Sequence, residues 1–352
     1  MAAIMPEVSF LLPVYNAELF LAESLASVLA QDFEDYDVLD IDDGSTDRSA
    51  EILDRFACPR LRVIRQENAG LVSALNKGLE VLDCDLVARI DADDICAPYR
   101  LSAQADFMAF TGAEAVSSRS LHIDEVGNIL GVAGAYGIFN ARADWLPAIE
   151  PYLPHPFMTA RLQVLREVGG YRQAHLAEDA DLCWRLSESF KIAVQGEVLG
   201  RYRLHTSSVS AKSLRSGRVQ AFFSQIAALN ALRRRESRHE LAYEVSMADA
   251  LAVADRWDGL FALYWDQLSR QEQSYLRAAA PLKLLDLATW RDFHLPSEDV
   301  MAAAEAVRAL PQMDEDNRAE AEKLISDGLA KLDDHRERRS LRDRLRGLLR
   351  GG

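Results

Sequence analysis

Between residues 8 and 94, short apolar runs alternate with stretches of helical spacing, and few folds accommodate that order. Residues 8–12 form a first apolar run that ends at Pro13, Val14, Tyr15 and Asn16. Residues 18–30 then place Leu21, Leu25, Val28 and Leu29 at helical spacing. A second strand, residues 36–41, ends at Asp42, Asp43 and Gly44. Ser45 or Thr46 is placed to cap the next helix, which carries Ile52, Leu53 and Phe56. Residues 61–64 read as a third strand, and residues 70–81 as a third helix with Leu71, Ala74, Leu75 and Leu79 on one face. Leu86, Val87, Ala88, Arg89 and Ile90 supply a fourth strand. This alternation predicts an α/β fold, a mostly parallel sheet with helices on both faces. Ligands of such sheets bind outside the C-terminal strand ends. Three polar clusters fall there: Tyr15 with Asn16, Asp42 with Asp43, and Asp91 with Asp93.

The last cluster is the most chemical. Asp91, Asp93 and Asp94 follow the apolar run within four positions. Side chains alternate along an extended chain, so Asp91 and Asp93 are expected to point one way and Asp94 the other. Like charges side by side repel, and a bound divalent cation is the usual reason to tolerate them, because hard cations take carboxylate oxygens. The plain alternative is an acidic, solvated loop that caps the next helix.

Beyond residue 111 glycines at 127, 131, 134 and 137 punctuate short apolar pieces, as in hairpins or a flexible acceptor-side region. A helix with Leu162 and Leu165 follows His155 and Pro156. Glu178, Asp179 and Asp181 open another helix, where carboxylates also suit the macrodipole. Residues 191–194 and 198–204 read as two strands, ending at His205. From about residue 212 Ala, Leu, Arg and Glu dominate long helical stretches, with breaks expected near Pro281, Pro296 and Pro311. The expected division is therefore a domain over residues 1–211 and an α-helical domain of unknown role over 212–352, which could supply a homodimer interface. Residues 335–350 hold seven arginines against two acids, with Leu341, Leu345, Leu348 and Leu349 on one helical face. Such an end can lie on an anionic membrane surface; packing on its own domain is the favoured alternative.

Composition sets outer bounds. At 49% apolar and 27% charged residues the chain reads as an ordinary soluble protein. A formal net charge of −15 argues against nonspecific nucleic-acid binding. The four cysteines, at 58, 84, 96 and 183, have no C-x-x-C spacing and read as thiols of a reducing compartment. No stretch approaches eighteen uninterrupted apolar residues, and the first residues lack a signal-peptide pattern, so a cytoplasmic location is expected, peripheral to the inner face of the membrane if the basic end binds there.

Taken in order, several motifs resemble the family 2 glycosyltransferases, which have the Rossmann-like nucleotide-sugar fold called GT-A. They are Pro13-Val14-Tyr15-Asn16, Asp42-Asp43-Gly44-Ser45-Thr46-Asp47, Asn68-Ala69-Gly70-Leu71 with Asn76, and Asp91-Ala92-Asp93-Asp94. His155-Pro156, Gly169-Gly170-Tyr171, Glu178-Asp179-Ala180-Asp181-Leu182 and Tyr202-Arg203-Leu204-His205 complete the series. Each motif alone is weak; together they are specific over about residues 6–210.

The resemblance implies a metal-dependent, inverting glycosyltransferase. It would move a sugar from a UDP-sugar, or a dTDP- or other nucleotide sugar, to a glycan or lipid-linked acceptor in cell-surface polysaccharide synthesis. Asp43 resembles the carboxylate that accepts from the uracil N–H, with Tyr15 against the base and Pro13 shaping the same wall. Asp93 resembles a direct Mn2+ or Mg2+ ligand, and Asp91 the acid reaching the ribose or a metal-bound water; Asp94 is left a structural role. Asp179 resembles the catalytic base, with Glu178 and Asp181 as competing candidates. His205 resembles a late histidine that in some relatives approaches the metal or diphosphate. Asn68, Arg100 and Arg203 are further phosphate or sugar contacts, and His155 sits at an acceptor-side turn. Two other readings remain: a nonenzymatic nucleotide-sugar binder acting through its helical region, and an Asp-based phosphotransferase with Asp91 as nucleophile.

Overall fold

The computed structural model describes residues 6–134, 136–137, 141–205, 213–290, 295–310, 313–332 and 341–342. The chain divides into two compact units. The first comprises residues 1–139, 151–172 and 185–205, and the second residues 140–150, 173–184 and 206–352.

The first unit is built on one sheet. β1 (Val8–Val14) is buried at all seven positions, which is why it reads as an apolar run interrupted only by Ser9. It pairs in parallel with β2 (Tyr36–Asp42) on one side and β4 (Leu86–Arg89) on the other, and β3 (Leu61–Arg65) extends the parallel set beyond β2. α1 (Leu21–Val28), α2 (Ser49–Arg55) and α3 (Leu71–Val81) are the crossovers. Past β4 the directions mix. The order continues through β8 (Thr159–Arg161), β6 (Ala115–Ile123), β9 (Ile192–Arg203) and β5 (Ile95–Cys96), with β7 (Ile129–Ala133) hanging on β6. β8 runs antiparallel to β4, and β6 parallel to β9. α4 (Arg100–Thr111) and α5 (Leu162–Glu167) complete the unit, apart from part of α6 (Glu178–Ser189). β6 and β7 form the hairpin expected from the glycine punctuation.

Two local expectations are corrected. Residues 191–194 and 198–204 belong to a single strand, β9, whose register against β6 jumps so that Ser118 faces Gln195 but Arg119 faces Val198. The exposed Gly196 and Glu197 bulge out of the ladder there, and a bulge looks like a strand break in sequence. Ser45 and Thr46 do not cap α2, which starts at Ser49. Asp47 Oδ1 accepts from Ser49 N at 2.9 Å instead, while Ser45 and Thr46 bond Asn16.

The second unit is helical, with its own core. α7 (Leu214–Arg235), α8 (Met247–Val253), α9 (Trp257–Ala262), α10 (Arg270–Trp290), α11 (Ser297–Ala309) and α12 (Glu315–Ala330) supply it. Pro281 does not break its helix as expected; it lies inside α10. Ala278, Ala279, Ala280, Leu282 and Leu284 around it are fully buried, and α10 packs on α7, α11 and α12. That burial outweighs the one backbone bond a proline removes. Buried ion pairs join the helices: Arg218 with Asp299 at 2.8 Å, and Arg233 with Glu272 at 2.7 Å. The expected boundary at residue 211 cuts the sequence once, whereas the compact units interleave. Leu146 N donates to Asn317 Oδ1 at 3.1 Å, Ala148 N to Gln225 Oε1 at 3.1 Å, and Trp184 packs with Ala227 and Ala228.

No helix among the described residues is long and apolar enough to cross a membrane. Of the basic end, only residues 341 and 342 are described, so the membrane-surface expectation for residues 335–350 lies outside the described residues.

Candidate functional site

β1, β2 and β4 are neighbours in the sheet and run the same way, so their C-terminal ends open side by side. At the end of β1, Tyr15 is 52% exposed, and the preceding Pro13 is buried within the strand. Asn16 has a positive φ and ties the two ends together, its Oδ1 accepting from Thr46 N at 2.8 Å. Asp43, at the end of β2, is buried. Its Oδ1 accepts from Gln66 Nε2 at 2.7 Å and Ala69 N at 2.9 Å; its Oδ2 accepts from Gly70 N at 2.8 Å and Asn68 Nδ2 at 3.2 Å. The carboxylate therefore holds the loop before α3. Gly44 beside it has φ 74°, and a Cβ there would lie 2.8 Å from Asn68 N, so a side chain is excluded on both counts.

β4 ends at Arg89, and the acids that follow lie in a turn closed by Asp94 N donating to Asp91 O at 3.2 Å. This corrects the strand-alternation reading. In a turn the first and fourth residues approach each other, so Asp94 joins Asp91 and Asp93 rather than facing away. One ligand oxygen from each of the three lies within 4.8 Å of the others. Asp91 is gripped by Arg89, whose guanidinium donates to both carboxylate oxygens, one at 2.7 Å. Asp93 Oδ2 meets His205 Nε2 at 2.7 Å. Asp94 is fully buried; its Oδ1 accepts from Arg203 N at 2.9 Å and its Oδ2 has no hydrogen-bond partner. Burial, then the charges of Asp93 and Asp91, push its carboxyl well above the ordinary value. A buried carboxylate oxygen left unpaired beside two more acids is what a hard divalent cation satisfies. The donor set fits Mg2+ or Mn2+.

A second layer stands behind these acids. His155 is buried, with Nε2 2.8 Å from the Tyr171 hydroxyl, and burial followed by the Arg89 charge holds its pKa well below the ordinary value. Burial thus favours its neutral form. Asn76 clamps the Tyr171 backbone, accepting from its N at 2.8 Å and donating to its O at 2.9 Å. Arg100 is fully buried and donates to Arg89 O at 2.8 Å and Met158 O at 3.1 Å. It is thus a scaffold residue and not the phosphate contact expected. Arg203 is likewise buried, and His205 half-buried against the Phe20 ring at 4.8 Å between centroids.

Glu178, Asp179 and Asp181 belong to the second unit. Glu178 and Asp179 are half-buried in the first turn of α6, with Asp179 Oδ1 accepting from Ala180 N at 2.8 Å. Asp181 is fully buried and accepts from the Tyr243 hydroxyl at 2.9 Å, which marks it as a structural acid. Sequence reasoning passed over Arg89, Gln66 and the place of Asp94. Arg89 alone carried a signal: a lone cation in an apolar strand, two residues before an acid.

Residues 9–169 match the family model described as glycosyl transferase family 2. Over 198 residues the chain is 31% identical to the putative glycosyltransferase EpsE of Bacillus subtilis (strain 168), covering 52% of this chain and 67% of that protein. The chondroitin synthase of Escherichia coli is 28% identical over 214 residues, covering 59% of this chain; the match spans only 30% of the synthase. The crystal structure of S. aureus TarS 1-349 in complex with UDP-GlcNAc is similar at a TM-score of 0.53 and 16% identity, over 96% of this chain and 92% of that one. At that identity the likeness is one of fold.

Proposed function

The chain belongs to glycosyl transferase family 2, and from that premise we propose an inverting, metal-dependent enzyme that moves a sugar from a UDP-sugar to a hydroxyl of a glycan or lipid-linked acceptor. Building of a cell-surface polysaccharide is the setting we favour, supported by the likeness to a chondroitin synthase. The observation that carries the reading is the turn of Asp91, Asp93 and Asp94 with its unpaired buried oxygen, at the C-terminal end of a central strand.

In this reading Asp93 and Asp94 would hold Mn2+ or Mg2+, with His205 orienting Asp93, while Arg89 orients Asp91, which would reach the ribose or the cation's hydration shell. The cation supplies charge stabilisation to the departing diphosphate. Tyr15 offers an exposed face to the base. Asp43 receives the base N–H once Gln66 or Asn68, the two side-chain donors on its carboxylate, gives way. Asp179 takes the proton of the acceptor hydroxyl as that oxygen bonds the anomeric carbon and the bond to the diphosphate breaks. Attack from the side opposite the leaving group inverts the centre. Arg89 donates to both Asp91 oxygens and so stabilises the anion, which lowers its nucleophilicity and weighs against the phosphotransferase reading. The four cysteines form no disulfide, and one of them is exposed, which fits the cytoplasmic location we favour.

The test is transfer or hydrolysis across a panel of UDP- and dTDP-sugars with Mn2+. Asp179→Asn is expected to lower kcat by about 10²- to 10⁴-fold, with UDP binding kept, and Asp93→Ala to remove the metal response. Full activity in both variants would sink the catalytic reading in favour of a nonenzymatic binder.

A further inference from the structure

Arg203 was expected to touch phosphate or sugar, and its surroundings forbid it. The side chain is 2% exposed. Its Nε donates to the Asp93 carbonyl at 3.0 Å, one terminal nitrogen to the Asp124 and Glu125 carbonyls at 3.2 Å each, and the other to Glu23 Oε2 at 2.6 Å. Four of the five N–H groups of a guanidinium are thereby spent inside the protein. Its Cζ also lies 4.7 Å from the centroid of the Phe20 ring, on which His205 packs too.

These partners come from three separate segments. Asp93 belongs to the acidic turn. Asp124 and Glu125 lie between β6 and β7, where the Asp124 carboxylate accepts from Val126 N at 3.0 Å and Asn128 N at 2.8 Å and so stiffens its own turn. Glu23 sits on α1. The backbone of Arg203 acts on the same acidic turn: its N–H occupies Asp94 Oδ1 and leaves Oδ2 without a hydrogen-bond partner. Two residues on, His205 fixes Asp93 Oδ2.

We infer that Arg203 is a positioning residue: it pins the Asp93–Asp94 turn to the β6–β7 hairpin and to α1, holding the carboxylates in the arrangement that receives the divalent cation. The inference rests on the metal-dependent reading above. A lysine keeps the charge but, as a compact ammonium, does not span carbonyls on three sides. A methionine keeps the bulk and loses every bond.

The experiment measures Mn2+ binding to the full chain with UDP present, by loss of the free-ion electron paramagnetic resonance signal, alongside UDP binding without metal. Wild type is expected to bind Mn2+; if it does not, the metal reading itself fails and takes this inference with it. With wild-type binding in hand, Arg203→Met is expected to weaken Mn2+ by about tenfold or more, Arg203→Lys to fall between, and metal-free UDP binding to stay unchanged. Glu23→Gln, which loosens one partner from the surface side, is expected to weaken Mn2+ about threefold with the thermal midpoint nearly kept, and it stands in if Arg203→Met does not fold. Wild-type Mn2+ affinity in both Arg203→Lys and Glu23→Gln overturns the inference. So does loss of metal-free UDP binding in folded Arg203→Lys, which would return the residue to a direct ligand contact.

Discussion

Asp40 stands in the middle of β2, fully buried, with neither carboxylate oxygen hydrogen-bonded. Burial, then the charge of Asp42, holds its carboxyl well above the ordinary 3.8, with Arg65 pulling the other way. Folding therefore takes up a proton between the unfolded and the raised folded value. Stability falls as pH climbs through that window, by at most about 1.4 kcal/mol per pH unit, and stays low above it. Asp40→Asn is expected to melt higher than wild type at pH 8 and to show a flatter midpoint between pH 4 and 8. Parallel curves would mean that Asp40 finds a partner in solution. Asp94 is the opposite kind of buried acid, because its unpaired oxygen has a use. Asp94→Asn keeps an acceptor for Arg203 N–H but drops the charge. It should weaken Mn2+ binding by about tenfold or more without lowering the thermal midpoint, measured by calorimetric titration and melting on one preparation.

At the scale of elements, α3 carries a glycine in its interior, Gly78, where propensity alone favours alanine by about 1 kcal/mol. A Cβ there would come within 2.2 Å of Leu11 Cδ1, whose own side chain is locked inside β1. Gly78→Ala is thus expected to destabilise by about 1–3 kcal/mol, read as a lower denaturant midpoint; a higher midpoint would show that Leu11 has room to move. Much of this layer was legible in the residues. The burial of β1 and the helical spacing of Leu71, Ala74, Leu75 and Leu79 are local patterns, and local patterns survive folding. Period-two reasoning failed where the chain left the sheet. It ran on past Arg89 into a turn and put Asp94 on the wrong side; the two-strand reading of β9 missed a bulge set by the register against β6. Asp43 was marked by its place after β2, but its four donors arrive from residues 66–70, and no short motif announces Gln66. Pro281 was read by its local rule, which the buried alanines of α10 overrule.

Across the whole molecule, the two compact units exchange segments of sequence, and that had no signature in composition. Residues 140–150 and 173–184 lie inside the stretch that resembles the family, yet pack with helices that come later. Leu146, Ala177 and Ala180 share a core with Phe222, Phe223 and Ile226 of α7. A fragment ending at residue 211 leaves those side chains without their partners. It is expected to be poorly soluble and to lack the cooperative melt expected of the full chain; a well-behaved fragment would show the segments to be dispensable. The same interleaving sets a timetable for synthesis. Leu146 donates to Asn317, 171 residues further along. At about 5–20 residues per second, roughly 10–30 s separate the emergence of the two. Through that interval the segment around Leu146 lacks the later helices with which it shares a core. A nascent chain of this design therefore calls for chaperone cover between its first two hundred residues and its last helices.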